Sequence, residues 1–316
     1  MSPGVGAPPL PGVSVGHWTH PSGRTGCTVV LLPAGTVASA EVRGGAPASR
    51  ELDLLAPERL VEGADAVVLS GGSAFGLASA DGVVRYCREA GRGFPTPAGP
   101  VPVVAGLSLY DLRPGEPPLW PDADAGYEAA RAAVPPDGSG PAGGWPVGRI
   151  GAGARATVGA WGSDRSPAGL GSAQLSFDAG GGEAVVVVAL LAVNAAGNLD
   201  DGSVAAALRR GDFRPPANPP LGTATTIGVI LTNARLSKTQ CLLVAQSGHD
   251  GLARALMPAH TRFDGDALIA ASVGILDASL DAVRVAATVA VEDAVRVAVT
   301  SGRGAGAPGD HAETAG

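Results

Sequence analysis

Lysine is almost absent from this 316-residue chain: Lys238 is the only one, charged residues make up 16% of the sequence, and the formal net charge is −7. So little positive charge excludes the broad basic face that phosphate-backbone binding needs, and nucleic acid is not an expected partner. Cysteine is scarce too. Cys27, Cys87 and Cys241 are an odd number, far apart, with no CxxC or Cys/His cluster, which excludes a disulfide framework and a zinc site of ordinary spacing. They read as buried thiols in a reducing compartment. Also missing are an apolar run long enough to span a bilayer and, in MSPGVGAPPLPG, a basic segment leading into an apolar one. The expectation is a cytoplasmic protein with no membrane partner. There is no fixed-period repeat, and the glycines of RIGAGARATVG (149–159) miss the dinucleotide spacing, so no nucleotide cofactor is expected.

What is present is a hydrophobic chain, 45% apolar, punctuated by 48 glycines and 27 prolines. The glycines fall beside apolar runs, a pattern of tight connections between buried elements rather than of disorder. Loops are expected at 113–124 and 134–146, a proline-rich linker at 210–222 and a disordered tail at 302–316. Strands are expected at 27–32, 66–70, 226–232 and 240–246, with a further apolar run at 184–193. Helices are expected at 57–63, 78–90, 249–257 and 265–280, while 282–300 fits either period. The alternation points to mixed α/β architecture with helix-covered sheets.

Few polar clusters offer chemistry. SGGSAFGLASADG (70–82) joins a strand to a helix and reads as a structural turn that lines a pocket; it lacks the final glycine of G-x-S-x-G, which argues against Ser73 as a nucleophile. His17, His20, His249, His260 and His311 are scattered, and each reads as a hydrogen-bonding residue before a catalyst. Residues 222–234, GTATTIGVILTNA, place Thr225 and Thr226 ahead of an apolar run. Without a histidine base, a threonine hydroxyl can be activated by its own α-amine when it is the first residue of a chain. That requires a cut after Ala224, approached through the linker at 210–222. Downstream, Asp264 and Asp266 flank Gly265 in HTRFDGDALIA: in an extended segment both carboxylates share a side and could orient the threonine, whereas alone the same residues fit a helix N-cap.

GVSVGH (12–17), TGCTVVL (25–31), VRGGAPASRELDLL (42–55), VLSGGSAFGLASADGVVRYC (68–87), GLGSA (169–173), AVNAAG (192–197), TTIGVILTNA (225–234) and AHTRFDGD (259–266) together resemble the DmpA family. Its members are L-aminopeptidase/D-esterases, β-peptidyl aminopeptidases and nylon-oligomer hydrolases. The resemblance implies one four-layer αββα sandwich, 1–316, of the DmpA and ornithine-acetyltransferase type. It implies a precursor that cleaves itself into an α-chain, 1–224, and a β-chain, 225–316, and a homo-oligomer, tetramer or larger, with no metal or organic cofactor. Carried over residue by residue, it makes Thr225 the nucleophile, Asp264 and Asp266 its acidic pair, Asn194 an oxyanion donor and Tyr110 a pocket residue. Two positions depart from the pattern: Ala224 stands where relatives have asparagine or glycine, and Pro167 where many have the lysine of K-G-G-[IL]-G. The reading is a self-processing hydrolase of small peptides, amides or esters acting through an acyl-threonine. The alternatives are an acyltransferase, and an uncleaved, non-catalytic assembly or binding protein.

Overall fold

A computed structural model describes residues 10–136, 144–162, 165–180, 182–215 and 224–304. The rest of the expected linker and tail, and the centre of the 134–146 loop, lie outside the described residues. In chain order the strands are β1 (Ser14–Thr19), β2 (Gly26–Leu31), β3 (Val37–Val42), β4 (Ser49–Arg50), β5 (Ala66–Ser70), β6 (Val104–Ser108), β7 (Thr157–Val158), β8 (Ser166–Pro167), β9 (Leu170–Asp178), β10 (Ala184–Asn194), β11 (Asn198–Leu199), β12 (Thr225–Ala234), β13 (Leu256–Met257) and β14 (Ala267–Leu276). The helices are α1 (Ser79–Glu89), α2 (Ala123–Arg131), α3 (Ser203–Arg210), α4 (Lys238–Ala255) and α5 (Leu280–Gly304).

Two five-stranded sheets form, in the orders β1-β2-β5-β6-β4 and β3-β14-β12-β10-β9. They pack face to face through Leu69 and Leu107 of the first sheet and Val188, Leu190, Ile227, Val229 and Leu231 of the second. Outside the first sheet, α1 and α2 cover Val29 and Val68 with Val83, Cys87, Ala125 and Ala129. Outside the second, α4 and α5 cover Leu191, Ile230 and Leu268 with Val244, Leu252, Val291 and Val295. The result is the expected four-layer αββα sandwich. No helix among the described residues is long and apolar enough to cross a membrane.

Several local expectations are corrected. QCLLVAQ (240–246) is not a strand but part of α4, which absorbs the expected helix at 249–257. A capping box between Ser237 and Gln240 starts that helix, and its buried residues Cys241, Val244, Ala245, Gly248 and Leu252 follow the helical period. The expected helix at 265–280 is instead β14, paired parallel to β12 and antiparallel to β3. A strand buried on both faces reads as a continuous apolar run, and periodicity alone does not separate it from a helix. Residues 57–63 are a turn and bend followed by irregular chain, not a helix, and the ambiguous 282–300 lies within α5. The loop expected at 113–124 gives way to α2 at Ala123, where the Asp122 carboxylate accepts the Ala125 N–H.

Candidate active site

Period two along a strand decides which way each threonine points. Ile227, Val229 and Leu231 of β12 face the inter-sheet core, and Ile230 faces α4 and α5. The same alternation turns Thr225 toward the inter-sheet side and Thr226 toward the helices. On β10, Val186, Val188, Leu190 and Ala192 face the inter-sheet core, which brings Asn194 to that side as well. Asn194 and Thr225 are directly opposed in the antiparallel register, so their side chains are neighbours at one end of the inter-sheet layer. The Thr225 hydroxyl donates to the Ala224 carbonyl oxygen at 2.5 Å.

The Asn194 amide is held at both ends. Its Oδ1 accepts from the Thr157 N–H at 3.0 Å, and its Nδ2 donates to the Tyr110 carbonyl oxygen at 2.8 Å. Because Tyr110 follows β6, that second bond ties one sheet to the other. Tyr110 also lines a cleft of about 560 Å³, together with Thr157, Arg113, Arg149, Arg165 and Pro167.

The acidic pair arrives through strand register. Ile227 pairs with Ala267 in parallel β12 and β14, an offset of 267 − 227 = 40 that sets Asp264, Gly265 and Asp266 beside Ala224, Thr225 and Thr226. A bridge between Ala224 and Asp264 and a Gly265 N–H bond to the Ala224 carbonyl at 3.1 Å continue the pairing. The helix-cap reading of D-G-D is overturned, because a strand follows. Asp266 holds the backbone next to Thr225, and Asp264 holds two neighbouring segments. Asp266 Oδ1 accepts from the Thr226 N–H at 2.7 Å, and Asp264 accepts from the N–H groups of Ala196 and Thr261 at 3.2 and 2.8 Å. Burial, then the neighbouring Asp266 charge, pushes the Asp264 carboxyl above the usual carboxylate range.

Gly265 has no room for a side chain. A Cβ there would lie 2.8 Å from both the Thr225 hydroxyl and the Ala46 carbonyl oxygen. From VRGGAP, the N–H groups of Arg43 and Gly44 donate to the Asp266 carbonyl at 3.0 and 3.1 Å, and Ala46 N–H to the Asp264 carbonyl at 2.9 Å.

Sequence reasoning missed His260. Its Nδ1 contacts Asp266 Oδ2 at 2.8 Å and its Nε2 contacts the His249 carbonyl oxygen at 3.2 Å. Both partners are acceptors, an arrangement that favours the doubly protonated ring. Burial opposes that charge, but the Asp266 bond and charge outweigh it and raise the pKa above 6.5. The signal in the sequence was His260 standing six residues before Asp266, readable only once the turn between them is known. Ala224, whose carbonyl the hydroxyl touches, is buried in a small apolar cluster with Ala160, Ala196 and Trp161. Lys238 does not replace the family lysine at Pro167: its ammonium donates to the carbonyls of Leu54, Arg59 and Val61 at 2.9, 3.1 and 2.7 Å. Among the described residues, no group of three or more His, Cys, Asp or Glu could hold a metal ion.

A profile described as peptidase family S58 matches residues 9–312. The chain is 37% identical over 297 residues to an uncharacterized aminopeptidase of Mycobacterium leprae (strain TN), covering 86% of this chain and 80% of that protein. It is 31% identical over 291 residues to the 6-aminohexanoate-oligomer endohydrolase of Kocuria sp. (strain KY2), covering 85% and 75%. In fold it is similar to the L-aminopeptidase D-Ala-esterase/amidase of Ochrobactrum anthropi, a variant of the Ntn hydrolase fold, with a TM-score of 0.68 at 19% identity over 95% of this chain and 88% of that one.

Proposed function

The chain belongs to peptidase family S58 and is a hydrolase of peptide or amide bonds, and from that premise we propose that Thr225 is its nucleophile, released by self-cleavage after Ala224. The observation that carries this reading is the Thr225 hydroxyl on the Ala224 carbonyl at 2.5 Å, opposite Asn194 at a sheet end. In the self-cleavage step Thr225 Oγ bonds to the Ala224 carbonyl carbon, the C–N bond breaks, and the hydroxyl proton passes to the leaving nitrogen. Water then hydrolyses the ester, leaving Ala224 as a carboxylate and Thr225 with a free α-amine.

That amine, with an ordinary pKa of about 8, takes the hydroxyl proton when Thr225 attacks a substrate carbonyl. Asn194 donates to the developing oxyanion; losing one such donor typically costs about 3 kcal/mol of barrier. Asp264 and Asp266 hold the backbone around the nucleophile, with His260 holding Asp266. Water finally releases the acyl-threonine ester.

The ester formed in self-cleavage and the acyl-enzyme formed with substrate share one linkage. The substrate's acyl residue therefore takes the place of Ala224, among Ala160, Ala196 and Trp161, and small acyl residues are favoured. The test is hydrolysis of alanyl, leucyl and phenylalanyl p-nitroanilides by wild type, Thr225→Ser and Thr225→Ala. The alanyl substrate should be fastest, Thr225→Ser should retain partial activity, and Thr225→Ala should have none. Wild-type rates in Thr225→Ala protein would overturn the assignment.

A further inference from the structure

Resting on the reading of Thr225 as nucleophile, we infer that the cleft beside it is a carboxylate subsite: Arg113 and Arg149 receive an anionic group of the substrate while Thr225 acts on its amide. Of the 22 basic residues, 21 are arginine (22 − 1 lysine) in a chain of net charge −7, yet three of them line this one cleft. Two more, Arg24 and Arg155, stand at its edge through Glu116.

Among the described residues, Glu116 is the one acidic residue lining the cleft, and it is already occupied. Its carboxylate takes Arg24 at 2.7 Å and Arg155 at 2.5 and 2.8 Å, and the hydrogen bonds from Arg155, with the charges of Arg155, Arg24 and Arg113, hold its pKa down to about 2. Asp111, deeper at the same end, accepts from the Gly72 N–H at 2.7 Å; burial pushes its pKa up to about 6, and its charge faces Arg155. Among the described residues, neither Arg113 nor Arg149 forms a salt bridge, although Arg113 lies within the field of Glu116, and Arg149 Nε is buried with no hydrogen-bond partner. Burial, followed by the charge of Arg155 and, more weakly, those of Arg165 and Arg149, lowers the pKa of Arg113 against the pull of Glu116. Among the described residues, Arg113 and Arg149 thus bring positive charge to the cleft without a salt bridge of their own.

It opens beside the nucleophile. Tyr110 and Thr157 line it, and the same two residues fix the Asn194 amide opposite Thr225. Pro167 lines it too, so arginines from other segments supply positive charge where the family pattern carries a lysine. Guanidinium groups present forked donors that match the two oxygens of a carboxylate, while a substrate ammonium would be repelled. The carboxylate can belong to the leaving group, as the C-terminus of a short peptide, or to the acyl side chain.

Two substrate pairs separate these sources: L-alanyl-glycine against L-alanyl-glycinamide, and L-glutamyl against L-glutaminyl p-nitroanilide. The carboxylate member of one pair should be preferred in kcat/KM by about tenfold or more, a preference that shrinks with added salt and collapses in Arg113→Gln and Arg149→Gln. Equal rates within both pairs, or a preference untouched by both variants, would overturn the subsite while leaving Thr225 in place. The nucleophile reading is tested separately, by the activity of Thr225→Ala protein on any substrate that wild type hydrolyses. Should wild type hydrolyse none of the four, titration of Thr225→Ala protein with L-alanyl-glycine and its amide decides the subsite: tighter binding of the acid, abolished by Arg149→Gln, supports it, and equal affinity contradicts it.

Discussion

The residue scale turns on how little space surrounds Thr225. Gly265→Ala would drive a methyl group into the Thr225 hydroxyl and the Ala46 carbonyl, each 2.8 Å away. Self-cleavage and turnover should fall more than tenfold, above about 1.4 kcal/mol of barrier, as read by mass spectrometry and p-nitroaniline release. Asp266→Asn keeps the acceptor for the Thr226 N–H but removes the charge facing the His260 ring. A comparable loss of turnover is expected, with His260→Gln losing less because Asp266 keeps its other bonds. Thr226 makes the opposite case. It is fully buried on the helix side and its hydroxyl has no hydrogen-bond partner among the described residues, so Thr226→Val should leave cleavage and turnover intact and raise stability by about 1 kcal/mol in urea titration. A loss of maturation in that variant would assign the nucleophile to the wrong threonine.

At the scale of elements, α4 and β14 carry the lesson about legibility. β5 and β12 were readable as apolar runs rich in β-branched residues, and α1 because its apolar face keeps the helical period. QCLLVAQ in α4 and ALIAASVGIL in β14 are both short apolar runs. What separates them is the Ser237–Gln240 capping box in one case and burial between β12 and β3 in the other. Ser237→Ala should therefore cost about 1 kcal/mol of stability and leave turnover alone. The same helix sets a pH response. His249 is buried in α4, and burial lowers its pKa from 6.5 to about 4. The unfolded chain takes up this proton first, so stability should fall as pH drops from 6.5 to about 4, by about 3 kcal/mol in total for this group. His260 has the opposite sign: its raised pKa favours the fold below pH 6.5, and that contribution is lost as pH rises through the folded value. Unfolding free energies across pH 4 to 8 should show a flatter acid limb in His249→Gln, and an unchanged slope would contradict this account of His249.

At the scale of the whole molecule, the site is where two sheets end together. Thr225 and the acidic pair were legible because each sits in a short, compositionally unusual motif. Their convergence follows from a constant offset of 40 between β12 and β14. The arginine cleft was not legible: Arg113, Arg149 and Arg165 come from separate segments, and the 113–124 loop looked chemically silent until the fold set Arg113 and Glu116 against Arg149 and Arg155. The fold also gives Ala224 a place, since it fits an apolar cluster with Ala160, Ala196 and Trp161. The central claim, that folding itself delivers Thr225 to the Ala224 carbonyl and frees its amine, is tested most directly by intact-mass measurement of the purified protein under denaturing conditions. Two species corresponding to 1–224 and 225–316, with threonine as the first residue of the second, are expected. A single full-length mass after prolonged incubation, in protein that nonetheless hydrolyses amides, would contradict it.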